Sequence, residues 1–274
     1  MSKIKNFFFG KGGGTAYAII SAIFTFVPED FFKHGIILCN WQDSSVLLVN
    51  RLITFLVVLI LTNICYCLYC RFRRRVTISD NNYSITIEYG DLFSKKDGLK
   101  VVHFDECFTT SVGSRPEDIK PDSVCGQYLQ KYPIANMREL IAEAGLKSIG
   151  KSLCGQKDKY TQGSIIPRED FLLMAFAKLD RTGRGIFTYE KYVECLDKLW
   201  EQIDLYHGTK DVYLPILGSQ ITRFDKELSQ QELLDIMIAS YRLSDRKLRY
   251  PYRLHIVCKK RDGFSLNSIF GVEK

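Results

Sequence analysis

The sequence has little with which to hold a metal or build a disulfide framework. Its four histidines (His34, His103, His207, His255) stand far apart, and its nine cysteines are odd in number and scattered. Neither group has the paired spacing of a zinc site or of a small secreted scaffold. The one Cys-x-x-Cys, Cys67 to Cys70, lies inside an apolar run, where neutral packing is the expected use. Reduced thiols in a cytoplasm-facing domain follow, with no metal. A basic excess on the folded part is missing too. The net charge is +7, but residues 1–75 hold nine Lys/Arg against three acids, and residues 76–274 hold 29 bases against 28 acids. A nucleic-acid binder carries its excess on the domain that binds, so nucleic acid is not an expected partner.

Charge is absent altogether from residues 52–70, "LITFLVVLILTNICYCLYC", and "RFRRR" follows at once. As a helix these 19 residues rise roughly 28 Å, close to the ~30 Å hydrocarbon core of a bilayer. A basic block directly after such a span marks the cytoplasmic side. A buried core helix keeps a polar face over five turns, and this stretch has none. Residues 12–28, "GGGTAYAIISAIFTFVP", form a shorter uncharged run between Lys3, Lys5 and Lys11 on one side and Glu29-Asp30 on the other. No signal-peptide cleavage pattern follows it. The charges predict a hairpin of two transmembrane helices within residues 1–75, both termini cytoplasmic, and a cytoplasmic domain over 76–274.

That domain reads as mixed α and β. "VTISD" and "SITIEYG" are strands joined by a turn at Asn81-Asn82, and "LKVVHFD" is a third. Residues 134–148 have helical spacing and a glycine stop. Residues 170–180, "DFLLMAFAKLD", suit a buried strand or a helix equally. Residues 188–208 form an amphipathic helix with Tyr192, Cys195, Leu196, Leu199 and Ile203 on one stripe. A buried strand "DVYLPILG", a helix capped by Ser229 and a last strand "YRLHIVCK" complete the pattern. Strands alternating with helices predict a layered α/β domain with a largely parallel sheet, which takes ligands at the C-terminal strand edge.

Two loops suit that role. In "EYGDLF", a glycine permits a tight turn and Asp91 stands at a strand tip, able to accept from an amine such as that of adenine. In "LPILGSQITRF", Gly218-Ser219 ends an apolar strand, and freed backbone N–H groups can hold phosphate oxygens with Arg223 assisting. Residues 180–191, "DRTGRGIFTYEK", imitate a calcium loop but place Arg184 fifth and Lys191 twelfth, where ligands are required, and therefore read as a turn.

In order, the two spans, "ITIEYGDLF…GLKVVHFDECFTT", "DSVCGQYLQ", "KYTQGS", "FLLMAFAKLD", "LDKLWEQI" and "VYLPILGSQITRF" resemble the membrane-anchored macro-domain effectors of Thoeris anti-phage defence, over nearly the whole chain. The resemblance implies a macro-like three-layer α/β/α domain behind the membrane hairpin, in the bacterial inner membrane. It implies no cofactor, a TIR-domain enzyme as functional partner, and a ligand of the ADP-ribose type, histidine–ADP-ribose in this form of the system. Binding would rearrange or oligomerise the subunits and disrupt the membrane in abortive infection. The Gly-Asp-[Ile/Leu] motif puts Asp91 on the adenine amine with Leu92 beside it. Phe108, Thr109 and Thr110 fall in the loop after the next strand. The segment of Ser123 and Gly126 takes the place of the Gly-rich phosphate loop, and Gly218-Ser219 that of the second, with Gln220 where glycine is usual. Tyr160 and Gly163 fall near the ligand. "DSVCGQ" lacks the triple glycine, and "FDECF" the Asn-Ala-Ala-Asn, of hydrolytic macro domains, which counts against turnover. Phe108 or Tyr160 are candidates to stack on the signal's terminal group.

Two other functions compete with a ligand-gated effector that is not an enzyme. A membrane-tethered ADP-ribosyl or nucleotide hydrolase would need a positioned base, for which Asp91, His103, Asp105 and Glu106 are available without an evident pair. A scaffold with an empty macro-like fold would ignore Asp91 altogether.

Overall fold

The computed structural model of the chain describes residues 8, 11–34, 43–219, 223–225 and 227–269. Two compact units divide it, residues 1–73 and 74–274.

The first unit is helical: α1 (Lys11–Phe26), α2 (Glu29–His34) and α3 (Asp43–Phe72). Ala16 and Ile20 of α1 meet Leu59 of α3 in a small buried cluster. Gly12 lies so near α3 that a Cβ there would come within 2.8 Å of Asn63 Oδ1, the small-residue contact by which apolar helices approach closely. The expected second span, 52–70, lies inside α3, which starts nine residues earlier. Two polar side chains in this added stretch, Asn50 and Arg51, are bound to α2. Asn50 Nδ2 donates to the Phe32 carbonyl at 2.6 Å. Arg51 pairs with Glu29 at 3.0 Å and lies over the Phe24 and Phe32 rings. Residues Ser45–Phe72, 28 residues that include an 18-residue stretch of mean hydropathy 2.3, are long and apolar enough to cross a membrane. The expected first span, 12–28, is a shorter apolar helix of 16 residues, about 24 Å long.

The second unit is a sheet between helical layers. In chain order it holds β1 (Arg75–Asp80), β2 (Tyr83–Tyr89), β3 (Leu99–Asp105), α4 (Val124–Lys131), α5 (Met137–Glu143), β4 (Ile165–Arg168), β5 (Phe171–Leu179), β6 (Gly185–Phe187), α6 (Tyr189–Tyr206), β7 (Val212–Pro215), β8 (Arg223–Phe224), α7 (Gln230–Leu243) and β9 (Leu254–Cys258). The strand order is β1-β2-β9-β7-β3-β5-β6-β8, and β4 pairs with β5. β2, β9, β7, β3 and β5 run parallel, while β1, β4 and β6 join antiparallel.

The apolar run that suited strand or helix is the central strand β5. Its alternate residues feed two cores: Leu172, Met174 and Phe176 face α6 and α7, and Phe171, Leu173 and Ala175 face α4 and α5. A strand covered on both faces has no polar side to show, which is why its sequence does not alternate. α6 buries the expected stripe together with Trp200. Ser229 caps α7 in a full capping box, its Oγ accepting from the Glu232 amide and the Glu232 carboxylate accepting from Ser229. Helical spacing over 134–148 yields only the short α5, ended at Gly145 with φ +65°. The calcium-like loop is a self-closed turn: Asp180 Oδ1 accepts from Thr182 N, Thr182 Oγ1 and Arg184 N.

Candidate functional site

The five parallel strands end on one edge, and two clefts open there. A narrow one, about 40 Å³, lies among the loop Gly90–Phe93 after β2, Pro215-Ile216 after β7, Cys258–Arg261 after β9, and Val124 and Gln127 of α4. A wide one, about 360 Å³, lies among Phe104-Asp105 of β3, Ala177–Leu179 of β5, the loop 114–120, Gly183–Gly185, Gly218 and Arg223. Ser123 and Cys125 bring the start of α4 into the wide cleft, and Val124 brings it into the narrow one. His103 borders both.

Asp91 precedes a 3₁₀ turn over Leu92–Ser94. Its backbone carbonyl accepts from Ser94 N and Oγ, at 3.3 and 2.7 Å. Its carboxylate caps nothing and has no hydrogen bond or ion pair among the described residues, so it stands exposed at the mouth of the narrow cleft. Leu92 is buried beneath it. Gly90 was expected to permit a tight turn, yet its backbone is outside the left-handed region, and a Cβ would lie 3.7 Å from Val257 in ordinary contact. Here the turn is held by hydrogen bonding and not by glycine: the Gly90 amide donates to the Cys258 carbonyl at 3.1 Å.

Under this loop Glu88 is buried and receives Lys95 at 2.7 Å and Arg75 at 2.9 Å, with His255 at 3.5 Å. Burial alone would raise its carboxyl, but the two cations outweigh it and hold it below the usual range. Glu88 thus anchors the segment that carries Asp91.

Of the other expected residues, Ser123, Gly218, Ser219 and Arg223 join Asp91 and Leu92 in the cleft walls. Ser123 has a structural duty as well: its Oγ accepts from the Gly126 amide at 3.0 Å and donates to the Lys120 carbonyl at 2.6 Å, capping α4. Gly218, at φ +80°, permits a turn in which a Cβ would strike the Phe224 ring at 2.8 Å. Ser219 Oγ donates to the Ile216 carbonyl. Gln220 lies outside the described residues.

The remaining six do not line either cleft. Phe108 is buried at φ +52° between Phe104 and Tyr160, with ring centroids 5.9 and 5.7 Å away. Thr109 is buried and its amide donates to Asp105 Oδ1 at 3.1 Å; Thr110 follows, half-buried. Gly126 faces the Lys120 carbonyl, which a Cβ would collide with, so this glycine serves the approach of α4 to its leading loop. Tyr160 donates its amide to the Glu106 carbonyl, and Gly163 packs on the Cys195 carbonyl of α6.

Lys259, Arg261 and Arg184 are among the cleft residues that sequence reasoning missed. Lys259 and Arg261 follow the last buried strand in the run "CKKRDG", a signal readable only once that strand's end is placed at the edge. Arg261 Nη1 donates to the Ser219 carbonyl at 2.8 Å and so ties the two loops together. Arg184, set aside with the calcium-like turn, projects into the wide cleft. The acids near that cleft are already committed. Asp105 Oδ1 accepts from Cys107 N and Thr109 N. Glu106 accepts from Ser152 Oγ and Leu179 N. Asp118 is held by Arg115, which keeps its carboxyl below the usual range.

A mixed, mostly parallel sheet between two helical layers, with its clefts at the C-terminal strand edge, defines a macro-type α/β domain. Residues 85–259 match the family described as Thoeris protein ThsA, Macro domain. The Thoeris protein ThsA of Bacillus amyloliquefaciens (strain Y2) is 30% identical over 207 residues, 72% of this chain and 69% of its own length. The chain belongs to the ThsA macro-domain family. Among solved structures, two point mutants of the Oceanobacillus iheyensis macrodomain, one with ADPR, superpose with a TM-score of 0.44. They are 9% and 10% identical and cover 69% and 68% of this chain and 91% of their own. The macrodomain of Thermus aquaticus DarG superposes at 0.39, with 13% identity over 65% of this chain and 98% of its own.

Proposed function

We propose that the chain is a Thoeris defence effector whose macro domain binds an ADP-ribose-type signal, histidine–ADP-ribose in the finer reading, made by a TIR-domain enzyme. The observation that carries this is the Asp91 carboxylate at the strand edge, without a partner among the described residues, in a cleft that Lys259 and Arg261 also line. An acceptor and two cations in one cleft suit a purine amine joined to phosphates. Leu92 and Val257 supply apolar walls, and Ser219 and Gly218 present a turn toward the phosphates. The narrow cleft has room for a few water-sized volumes only, so a purine enters by parting long side chains such as Phe93, Gln127 and Arg261. The wide cleft, with Arg184, Arg223 and Glu117, takes the distal ribose and the group attached to it.

Binding without turnover is the reading the acids support. A general base must be free to accept a proton, while Asp105, Glu106 and Asp118 are bound into the fold by hydrogen bonds, His103 is held neutral with a depressed proton affinity, and the free Asp91 carboxylate is assigned to the purine amine. Signalling then requires that the ligand favour one arrangement of the chain over another. In this reading α3 spans the bilayer, the subunits associate on binding, and the membrane is breached. Calorimetry of the full chain in detergent with ADP-ribose, beside Asp91→Ala, tests the binding half. Heat from the parent chain, loss in the variant, and ADP-ribose recovered intact by chromatography are expected. Absence of binding by a folded parent chain would overturn the reading, and release of free ribose or nucleotide would favour the hydrolase.

A further inference from the structure

His103 is the one described side chain that borders both clefts. It sits two residues before the end of β3, at the seam between the narrow cleft with Asp91 and the wide one with Arg184 and Arg223. Its ring stands edge-on to Phe176, with centroids 5.5 Å apart and planes at 77°, which fixes its orientation. Its Nδ1 is enclosed with no hydrogen-bond partner. An enclosed polar atom without a partner carries a cost. Burial lowers its pKa to about 4, so the ring is neutral at physiological pH and carries a single N–H. An N–H orphaned in the interior costs more than a bare lone pair. The proton therefore resides on Nε2, the nitrogen left to meet whatever passes along the seam.

We infer that His103 is a specificity-determining residue that donates a neutral Nε2–H hydrogen bond to the anionic linker of a ligand occupying both clefts at once. The inference rests on the ADP-ribose-type reading above and deepens it. The linker of such a ligand is its diphosphate, an acceptor that a neutral imidazole can serve without the desolvation of a second buried charge. Asp105 Oδ1 is occupied by two amides, and among the described residues no hydrogen bond joins Asp105 to His103. The consequence is a selection rule. A nucleoside confined to the narrow cleft meets the His103 ring without needing its N–H, and a molecule whose anionic linker crosses the seam needs that donor.

The test uses the full chain in detergent, with adenosine and ADP-ribose as probes, followed by calorimetry and ligand-observed magnetic resonance. His103→Leu is expected to weaken ADP-ribose at least tenfold and to change adenosine by less than twofold. His103→Gln, which returns an N–H donor at similar reach, is expected to recover part of the loss. Both variants should keep the cooperative thermal transition of the parent. An unchanged ADP-ribose affinity in His103→Leu would overturn the inference, as would an equal loss for adenosine, which marks a purely structural role. A folded parent chain that binds neither probe overturns the parent reading and this one with it, an outcome distinct from binding that ignores His103.

Discussion

Helices α3 and α6 are both long and rich in leucine, and they treat those residues in opposite ways. α6 buries one stripe, Tyr192, Cys195, Leu196, Leu199, Trp200 and Ile203, and turns Lys191, Glu194, Lys198 and Glu201 outward in i,i+3 ion pairs. α3 leaves Leu48, Leu52, Leu56, Ile60, Leu61, Ile64 and Leu68 exposed around its circumference and buries Leu59 against α1. The first arrangement is that of a helix whose solvent is water on one side and protein on the other. The second is a helix long and apolar enough to cross a membrane, with few of its apolar side chains covered by protein. The two helices thus differ in how their apolar surface is covered, and the sheet edge with the clefts belongs to the unit of α6.

The largest effect expected from this contrast is in the α/β unit. Trp200 is fully buried, edge-on to Tyr241, and its indole N–H donates to Ser240 Oγ at 2.9 Å. Trp200→Ala should cost ~3–5 kcal/mol by denaturant unfolding. Leu56→Ala on α3, an exposed position, should leave that same transition unmoved. An equal loss in both would break the comparison.

Next comes pH. The folded pKa of His103 is about 4, below its ordinary 6.5, so the unfolded chain binds the extra proton first. Stability contributed by keeping this ring neutral is whole above about pH 6.5 and is lost as pH falls toward 4, on the order of 3 kcal/mol in all. His255, lowered mainly by burial against the opposing pull of Asp211, acts in the same direction. Unfolding titrations from pH 7.5 to 4.5 should show a decline that His103→Leu flattens.

A smaller effect separates function from fold. Asp91→Ala should reduce ADP-ribose affinity by at least tenfold, about 1.4 kcal/mol or more, with the melting transition within a degree or two of the parent. Parallel calorimetry and thermal unfolding check both. Smallest is Ser229→Ala, which removes the capping box of α7 and should cost ~1 kcal/mol of stability with ligand affinity unchanged.

Much of the architecture was legible because local chemistry enforces it. The Ser229 cap, the stripe of α6, the hairpin turn at Asn81-Asn82 and the uncharged run within α3 all declare themselves over a few residues. Asp91 was legible for the same reason, as an acid directly after a strand. Phe108 was not. Its position in a loop after β3 suggested a ligand contact, whereas the left-handed backbone there turns the ring into the core against Tyr160, a neighbour 52 positions along the chain. Gly126 falls in the segment expected in place of the Gly-rich phosphate loop, and in the fold it answers to the Lys120 carbonyl. His103, Arg184 and Arg261 reach one edge from β3, from the turn after β5 and from the end of β9. Their meeting depends on parallel crossovers that no short stretch encodes.

The measurement that tests the account most directly joins the two regions. Lipid vesicles reconstituted with the full chain and loaded with a self-quenching dye would receive histidine–ADP-ribose, with Asp91→Ala as the control. The account predicts dye release from the parent vesicles and none from the variant. Intact vesicles in the presence of a ligand that calorimetry shows to be bound would contradict it.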